Sequence, residues 1–329
     1  MHATQAFIET TGGPEVIQWK EVDLAAPGPG EILIRHEAVG LNYIDTYFRT
    51  GLYPAAMPTG LGMEAAGVVE AVGDGVTHLK PGQRAVTFGA LGAYSTARIA
   101  PAMQYFPLPE GIDSQTAAAV FLKGATVEAL AERCAPLDAG EWALVPAAAG
   151  GVGQLLVQWL KARGVRVIGT VGSEEKMALA GDAGAETVFL SGDSDLAAKV
   201  RELTGGDGVA ASYDGVGAAT WEASLKSVRR RGKIVSFGNA SGPVTGVNMG
   251  VLAQNGSLWV TRMTLFDYYR EPAEAMSGAA KLWAMIGSGK LTVSVGQTYP
   301  LKEAAQAHRD LEARLTTGST LLGIRLRYC

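Results

Sequence analysis

The period of apolar and polar positions changes once along this chain, near residue 114. Before that point short stretches alternate. In GEILIRHEAVG (30–40) the apolar Ile32 and Ile34 give way to the polar Arg35 and Glu37, a period near two that predicts a half-buried strand. EAAGVVEAVG (64–73) and QRAVTFG (83–89) behave alike, each closed by glycine. The Pro/Gly-rich APGPGE, GDGV and KPGQR between them read as turns. Residues 1–123 are therefore expected to form an antiparallel β domain.

From DSQTAAAVFLKGATVEALAERCA onward, helix formers take over behind the capping candidates Asp113 and Ser114. Short buried strands then alternate with helices. EWALVPA precedes a helix over about 153–163, VRVIGTV precedes SEEKMALAGDAG, and ETVFL precedes LAAKVRELTGG. GVAASYD precedes the helix ATWEASLKSVRRRG, and KIVSFG follows as a further strand. Such alternation predicts βαβ units in a doubly wound parallel sheet, so the fold class is α/β, with this domain at 124–265. In VRRRG (228–232) the arginines are expected to end that helix before a glycine cap, where they suit the helix dipole better than a nucleic acid. The tail holds a helix (EAMSGAAKLWAMIGSG), a strand (VGQTYPL), a second helix and the apolar run STLLGIRL. That run could complete the N-terminal sheet, making 1–123 and 266–329 one discontinuous domain.

Composition narrows the function classes. With 329 residues, 47% of them hydrophobic, the chain can bury large cores. A formal charge of −4 argues against nucleic acid or an anionic membrane as the main partner. Two cysteines, Cys134 and Cys329, are too few for a disulfide framework and suit a reducing compartment. The apolar runs are too short to span a membrane, and MHATQAFIETTGG does not resemble a secretion signal, so a cytoplasmic protein is expected.

VPAAAGGVGQ (145–154) sits between a predicted strand and a predicted helix, the context a dinucleotide loop requires. Gly150 and Gly151 clear the backbone for a pyrophosphate, and Gly153 lets the helix pack on the strand. Ala148 occupies the first glycine position, which is tolerable only if the turn needs no positive φ there. A small-residue turn is the competing reading, and the flanking βαβ units favour the dinucleotide. An NAD site would place an acid about 20 residues on, at the end of the next strand. IGTVGSEEK instead offers Gly172 and Ser173, with Lys176 one turn further, which favours a 2′-phosphate and NADP. Ser173 as an ordinary helix cap and Lys176 as surface charge remain open on these residues alone.

The segments NYIDTYFRTGLYP, GMEAAGVVEAVGDGV, AAAGGVG, VIGTVGSEEK, SYDGVG, VSFGNASGPV and ARLTTGSTLL, in this order, resemble the zinc-independent quinone oxidoreductases. This is the zeta-crystallin-like branch of the medium-chain dehydrogenase/reductase superfamily, and the resemblance covers residues 4–323. It implies a Rossmann domain beside a GroES-like antiparallel β catalytic domain, NADPH in the cleft, a quinone substrate and a homodimer. It implies that Asn42, Asp45 and Thr46 lie near the nicotinamide, that Thr126, Gly151 and Val152 touch the cofactor, and that Gly172, Ser173 and Lys176 hold the 2′-phosphate. Phe237, Gly238, Asn239, Ala240 and Thr261 would line the nicotinamide side, with Arg314 reaching in from the tail. Many relatives carry a tyrosine after the third strand, where this chain has Ser191, so a relaxed preference between NADPH and NADH is possible. In the family the strand matching NGSLWVTRM (255–263) pairs across a dimer; an ordinary inner or edge strand is the alternative.

Zinc-dependent members of the superfamily place a histidine where this chain has Met63, and LNYIDTY lacks their cysteine. The histidines (His2, His36, His78, His308) are scattered, so no metal is expected. Glu64 reads as structural or close to the cofactor. No Ser, Cys or His triad signature appears, which suits hydride transfer, since there the cofactor carries the chemistry. Asn42 with Tyr47 and Tyr53 form the expected catalytic set. Either tyrosine could hydrogen-bond a quinone oxygen or stack on its ring, or simply be a half-buried loop residue. Reduction of an alkenal or enone C=C bond needs the same hydride geometry and is the enzymatic alternative. A nucleotide-binding protein with little turnover, RNA-binding or structural, is the non-enzymatic one.

Overall fold

The computed structural model describes residues 1–324; Cys329 lies outside them. The chain divides into two compact units, one built from Met1–Leu122 with the segment from Val293 onward, the other from Lys123–Thr292.

The first unit opens with β1 (His2–Ile8), β2 (Gln18–Asp23), β3 (Glu31–Leu41), α1 (Tyr43–Thr50) and β4 (Thr59–Gly60). It continues through β5 (Glu64–Val72), β6 (Arg84–Phe88), β7 (Ala97–Pro101) and β8 (Tyr105–Pro107). β1 lies between β2 and β4 in a small sheet, and β3 anchors the large one, antiparallel to β5 and β7. The expected alternation holds on β3 only over Ile34–Glu37; Leu33 and Ala38–Leu41 are buried in succession. Ile32 and Ile34 are buried with Val69, Leu79 and Tyr105, while Arg35 stays half-exposed and pairs with Glu70. Helix α2 (Ser114–Glu128) begins in this unit and crosses the boundary.

The second unit contains β9 (Trp142–Val145), α3 (Gly151–Ala162), β10 (Arg166–Val171), α4 (Met177–Ala183), β11 (Thr187–Leu190) and α5 (Leu196–Leu203). It goes on with β12 (Val209–Asp214), α6 (Trp221–Ser227), β13 (Val228–Ser236), α7 (Gly250–Gln254), β14 (Trp259–Arg262), α8 (Leu265–Tyr268) and α9 (Pro272–Gly287). All six strands are parallel, in the order β11-β10-β9-β12-β13-β14. Strand order reverses between β9 and β12, the place in doubly wound sheets where ligands meet the carboxyl ends of strands. Leu144, Ile168, Ile234, Leu225 and Val200 form its core.

Two expectations fail here. VRRRG is not a helix terminus: α6 stops at Ser227, and Val228 begins β13 as a fully buried partner of Val209. Register then jumps to Ala211 opposite Lys233, so the arginines occupy an exposed bulge and Gly232 caps nothing. A β-branched valine buried at the sheet outweighs the helical pattern before it. Arg231 takes a left-handed φ of 61°, held by its N–H to the Gly256 carbonyl at 2.7 Å.

The second boundary falls at Val293 rather than at 266. Glu128, fully buried, accepts hydrogen bonds from Tyr269 and Lys281, each at 2.9 Å, and from Arg133 at 2.8 Å. A buried carboxylate must keep its donors, and these tie α8 and α9 to the second unit. The chain then returns through β15 (Val295–Pro300), α10 (Ala304–Glu312) and β16 (Ser319–Gly323). β16 pairs antiparallel with β3, Leu322 opposite Val39, so the last apolar run completes the first unit's sheet.

Candidate functional site

In the second unit the glycine loop leaves β9 and enters α3. The left-handed residue of the turn is Ala147, at φ 55°, and not Ala148, so the alanine in the first glycine position bears no backbone strain. Ala148 is fully buried and donates its N–H to the Thr170 carbonyl on β10. A methyl group on Gly153 would lie 2.2 Å from the Ala147 carbonyl, which enforces the close approach of helix to turn. Gly150 caps α3 in an extended conformation, and the N–H groups of Gly151, Val152 and Gly153 precede the helix's own acceptors. Those donors, the positive end of the dipole and the bare glycine backbone fit a pyrophosphate.

Gly172 and Ser173 follow β10, and Ser191 follows β11. The Ser191 N–H donates to the Val171 carbonyl at 2.8 Å, which brings these residues together at the carboxyl ends of two paired strands. Ser173 and Lys176 are half-buried on one turn, where the Lys176 N–H bonds the Ser173 carbonyl at 3.2 Å. The Ser173 hydroxyl hydrogen-bonds Glu175, and this chiefly holds that carboxyl below its usual pKa. No side chain crowds Gly172, since a methyl there would meet nothing within 4 Å.

At the end of β12, Asp214 is buried and organises DGVG. Its Oδ1 accepts from the N–H groups of Val216 and Gly217, at 2.8 and 3.0 Å, and its Oδ2 from Thr220 and Ser224, at 2.7 and 2.8 Å. That turn buttresses the loop after β13. Phe237 N–H donates to the Asp214 carbonyl, and a methyl on Gly238 would lie 2.2 Å from the Gly215 carbonyl. With its side-chain amide turned so that both ends are paired, Asn239 accepts from Arg262 Nη2 at 3.1 Å and donates to the Gly238 carbonyl at 3.0 Å. Ala240 N–H reaches the Gly215 carbonyl at 3.5 Å, and Thr261 pairs with Val235 on the exposed β14. Thr126 lies on α2.

In the first unit, Asn42 joins β3 to α1. Its backbone N–H donates to Asp45 Oδ2 at 2.9 Å, and its side-chain Nδ2 donates to Glu64 Oε2 at 2.8 Å. The other Glu64 oxygen accepts the Leu122 N–H at 2.7 Å. Gly40, opposite Glu64 in the ladder, leaves room for this carboxylate: a methyl there would stand 2.4 Å from Oε2. Met63 is buried beside it. Thr46 is buried and donates to the Tyr43 carbonyl at 2.7 Å. The Tyr47 and Tyr53 rings meet edge to face, with centroids 5.2 Å apart. Arg314 is exposed with φ 62°, close enough to Tyr43 to act on its phenol, whose pKa burial raises. Among the described residues no group of three His, Cys, Asp or Glu side chains is placed to hold a metal ion, and no helix is long and apolar enough to cross a membrane.

Sequence reasoning assigned no role to Asp214 or Arg262, or to Tyr94 and His308, which bond to each other and, through Tyr94, to Asp45. Asp214 had a readable signal, an aspartate before G-V-G with a threonine six residues on. The others had none, because their partners are distant in sequence.

Residues 28–110 match the alcohol dehydrogenase GroES-like domain family, and residues 151–280 match the zinc-binding dehydrogenase family. The chain is 51% identical over 314 residues to a quinone oxidoreductase of Pseudomonas aeruginosa, covering 94% of this chain and 96% of that one. It is 39% identical to a 2-haloacrylate reductase of a Burkholderia species, over 96% of this chain and 98% of that one. The crystal structure of Escherichia coli quinone oxidoreductase complexed with NADPH superposes with a TM-score of 0.95 at 47% identity, over 98% of this chain and all of that one.

Proposed function

Because the chain belongs to the quinone oxidoreductase family of the medium-chain dehydrogenase/reductase superfamily, we propose that its residues divide the work of a zinc-independent NADPH:quinone reductase between the loops described above. NADPH, when bound, supplies a hydride that with one proton from water turns a quinone into its hydroquinone. The α3 N-terminus at Gly150, Gly151, Val152 and Gly153 takes the pyrophosphate. Gly172, Ser173 and Lys176 take the 2′-phosphate, beside Ser191. Asn42, Asp45, Thr46 and Thr126 contact the nicotinamide end of the cofactor, as do Phe237, Gly238, Asn239, Ala240, Thr261 and Arg314. Tyr47 and Tyr53 orient the quinone through a phenol hydrogen bond or ring contact.

One observation carries the zinc-independent reading: Glu64 gives both carboxylate oxygens to protein N–H donors, Asn42 and Leu122. Two of its lone pairs are committed to protein donors, its neighbour is Met63 and not a histidine, and among the described residues no group of three His, Cys, Asp or Glu side chains is placed to hold a metal ion. Without a Lewis acid the substrate must already be electrophilic, as a quinone is. The test is NADPH oxidation by the chelator-treated enzyme, with 1,4-benzoquinone and 9,10-phenanthrenequinone set against trans-2-alkenals. Turnover of the quinones at full rate after chelation supports the assignment; activity restored only by added zinc overturns it. The haloacrylate-reducing relative supports a second reading, reduction of an activated C=C bond, which turnover of the alkenals alone would favour.

The exposed edge strand β14, with Trp259 at 70% and Val260 at 41% exposure, supports a homodimer formed along that edge. Trp259→Glu should then elute as a monomer where the unaltered protein elutes as a dimer. A cytoplasmic setting is supported by the low cysteine content, two in 329 residues.

A further inference from the structure

A chain of buried side chains in the first unit ends on Asp45. Arg49, nearly inaccessible, sits one turn after Asp45 on α1, but the two are joined through other elements. Arg49 forks onto Glu312 of α10, with Nη1 to Oε2 at 3.0 Å and Nη2 to Oε1 at 2.7 Å, and its Nε donates to the Gly12 carbonyl at 3.1 Å. The same Nη1 donates to His308 Nδ1, also on α10, at 3.1 Å. His308 Nε2 lies 3.0 Å from the Tyr94 hydroxyl, and that hydroxyl lies 3.0 Å from Asp45 Oδ2. Asp45 Oδ2 in turn accepts the Asn42 N–H. Tyr94, His308 and Asp45 are fully buried.

Donor chemistry leaves one polarity for the circuit. A guanidinium can only donate, so His308 Nδ1 must accept. Burial and the neighbouring Arg49 push the His308 pKa down to about 3, so the ring is neutral and its one proton sits on Nε2. Nε2–H therefore donates to Tyr94, and the Tyr94 O–H is left to donate to Asp45. From Arg49 the line runs one way, through His308 and Tyr94, to Asp45 Oδ2, which also takes the Asn42 N–H.

We infer that Tyr94 and His308 are positioning residues for the reductase, locking Asp45 and through it Asn42 at the first turn of α1. The inference rests on the reading that Asn42 and Asp45 meet the nicotinamide end of NADPH. It makes the C-terminal helix α10 part of the site's support, since that helix supplies both His308 and Glu312.

The experiment uses the full chain with five variants: Tyr94→Phe, His308→Phe, the two combined, His308→Gln and Asp45→Asn. Tyr94→Phe and His308→Phe should each lower kcat with 1,4-benzoquinone about tenfold, the cost of a slightly misplaced reacting group. The double variant should be no slower than the worse single one, because both cut the same circuit. His308→Gln should recover most of the rate, since its amide can accept from Arg49 and donate to Tyr94. In the enzyme without cofactor, histidine ring 15N spectra near pH 7 should show His308 as the neutral Nε2–H tautomer. Wild-type kcat in both phenylalanine variants while Asp45→Asn is slow overturns the inference, as does an Nδ1–H or charged His308 ring. Wild-type kcat in Asp45→Asn overturns instead the reading on which it rests.

Discussion

The side-chain amide of Asn42 donates to Glu64 across 2.8 Å, which joins the start of α1 to the start of β5. The bond makes the buried carboxylate next to Met63 a protein-held acceptor. Glu64→Gln puts an NH2 group opposite one of its two donors, Asn42 Nδ2 or the Leu122 N–H. The expected loss is about 1–3 kcal/mol of stability, the cost of leaving a buried donor unpaired. A urea titration of variant and parent measures it, and an unchanged midpoint would contradict the pairing.

On the proposed reading, Lys176 holds the 2′-phosphate beside Ser191. Lys176→Ala should raise the NADPH KM about tenfold and leave the NADH KM nearly unchanged, since only NADPH offers the extra charge. Ser191→Tyr should move the preference further toward NADPH. Steady-state kinetics with both cofactors provide the check, and equal effects on the two KM values would refute a 2′-phosphate role.

Gly153 and Gly172 separate folding from binding. Gly153→Ala forces a methyl to 2.2 Å from a backbone carbonyl, so a destabilisation of about 3 kcal/mol is expected. Gly172→Ala meets no neighbour within 4 Å and should move stability by less than about 0.5 kcal/mol. If Gly172 borders the 2′-phosphate as proposed, the methyl should nevertheless weaken NADPH binding. Thermal melts and fluorescence titration with NADPH distinguish the two effects; unaltered NADPH affinity in Gly172→Ala would remove that residue from the site.

His36 and His308 are buried, and burial chiefly pushes each pKa down to about 3 from its usual 6.5. His36 also faces Arg98, while its ring nitrogens lie 2.9 Å from the Ser95 carbonyl and 3.2 Å from the Tyr105 hydroxyl. Between those pH values the unfolded chain binds protons that the folded protein refuses. Stability is therefore complete above about pH 6.5 and falls on acidification, by up to about 1.4 kcal/mol per pH unit for each ring. Denaturant titrations from pH 7.5 to 4.5 should show this slope, and His308→Gln should lessen it by up to one proton. A variant slope equal to the parent's would mean that His308 titrates normally.

Local pattern determined most of the fold. Alternation placed β3, β5 and β6, and the strand–helix rhythm placed β9 through β13 to within a few residues, because side-chain periodicity reports which face of an element meets the core. The glycine loop was readable for the same local reason: strand, small-residue turn and helix are contiguous. What escaped were decisions made by distant partners. The helical pattern through VRRRG yields to Val228, buried against Val209. Helix α9 joins the second unit because its Lys281 reaches Glu128, 153 positions earlier.

The site divides in the same way. The proposed phosphate contacts at Ser173, Lys176 and the glycines are read from the sequence, since phosphate recognition uses backbone and side chains of one short segment. The support of Asn42 does not. Glu64 is 22 positions away, and His308 meets Tyr94 across 214 positions and Arg49 across 259. By itself the sequence determined two domains, a dinucleotide loop and the absence of a zinc signature from its motifs. Only the tertiary structure decided that Asp45 is buried under a one-way line of hydrogen bonds from α10. A buried charge is tolerated only where long-range packing delivers its donors, and no local pattern records that delivery.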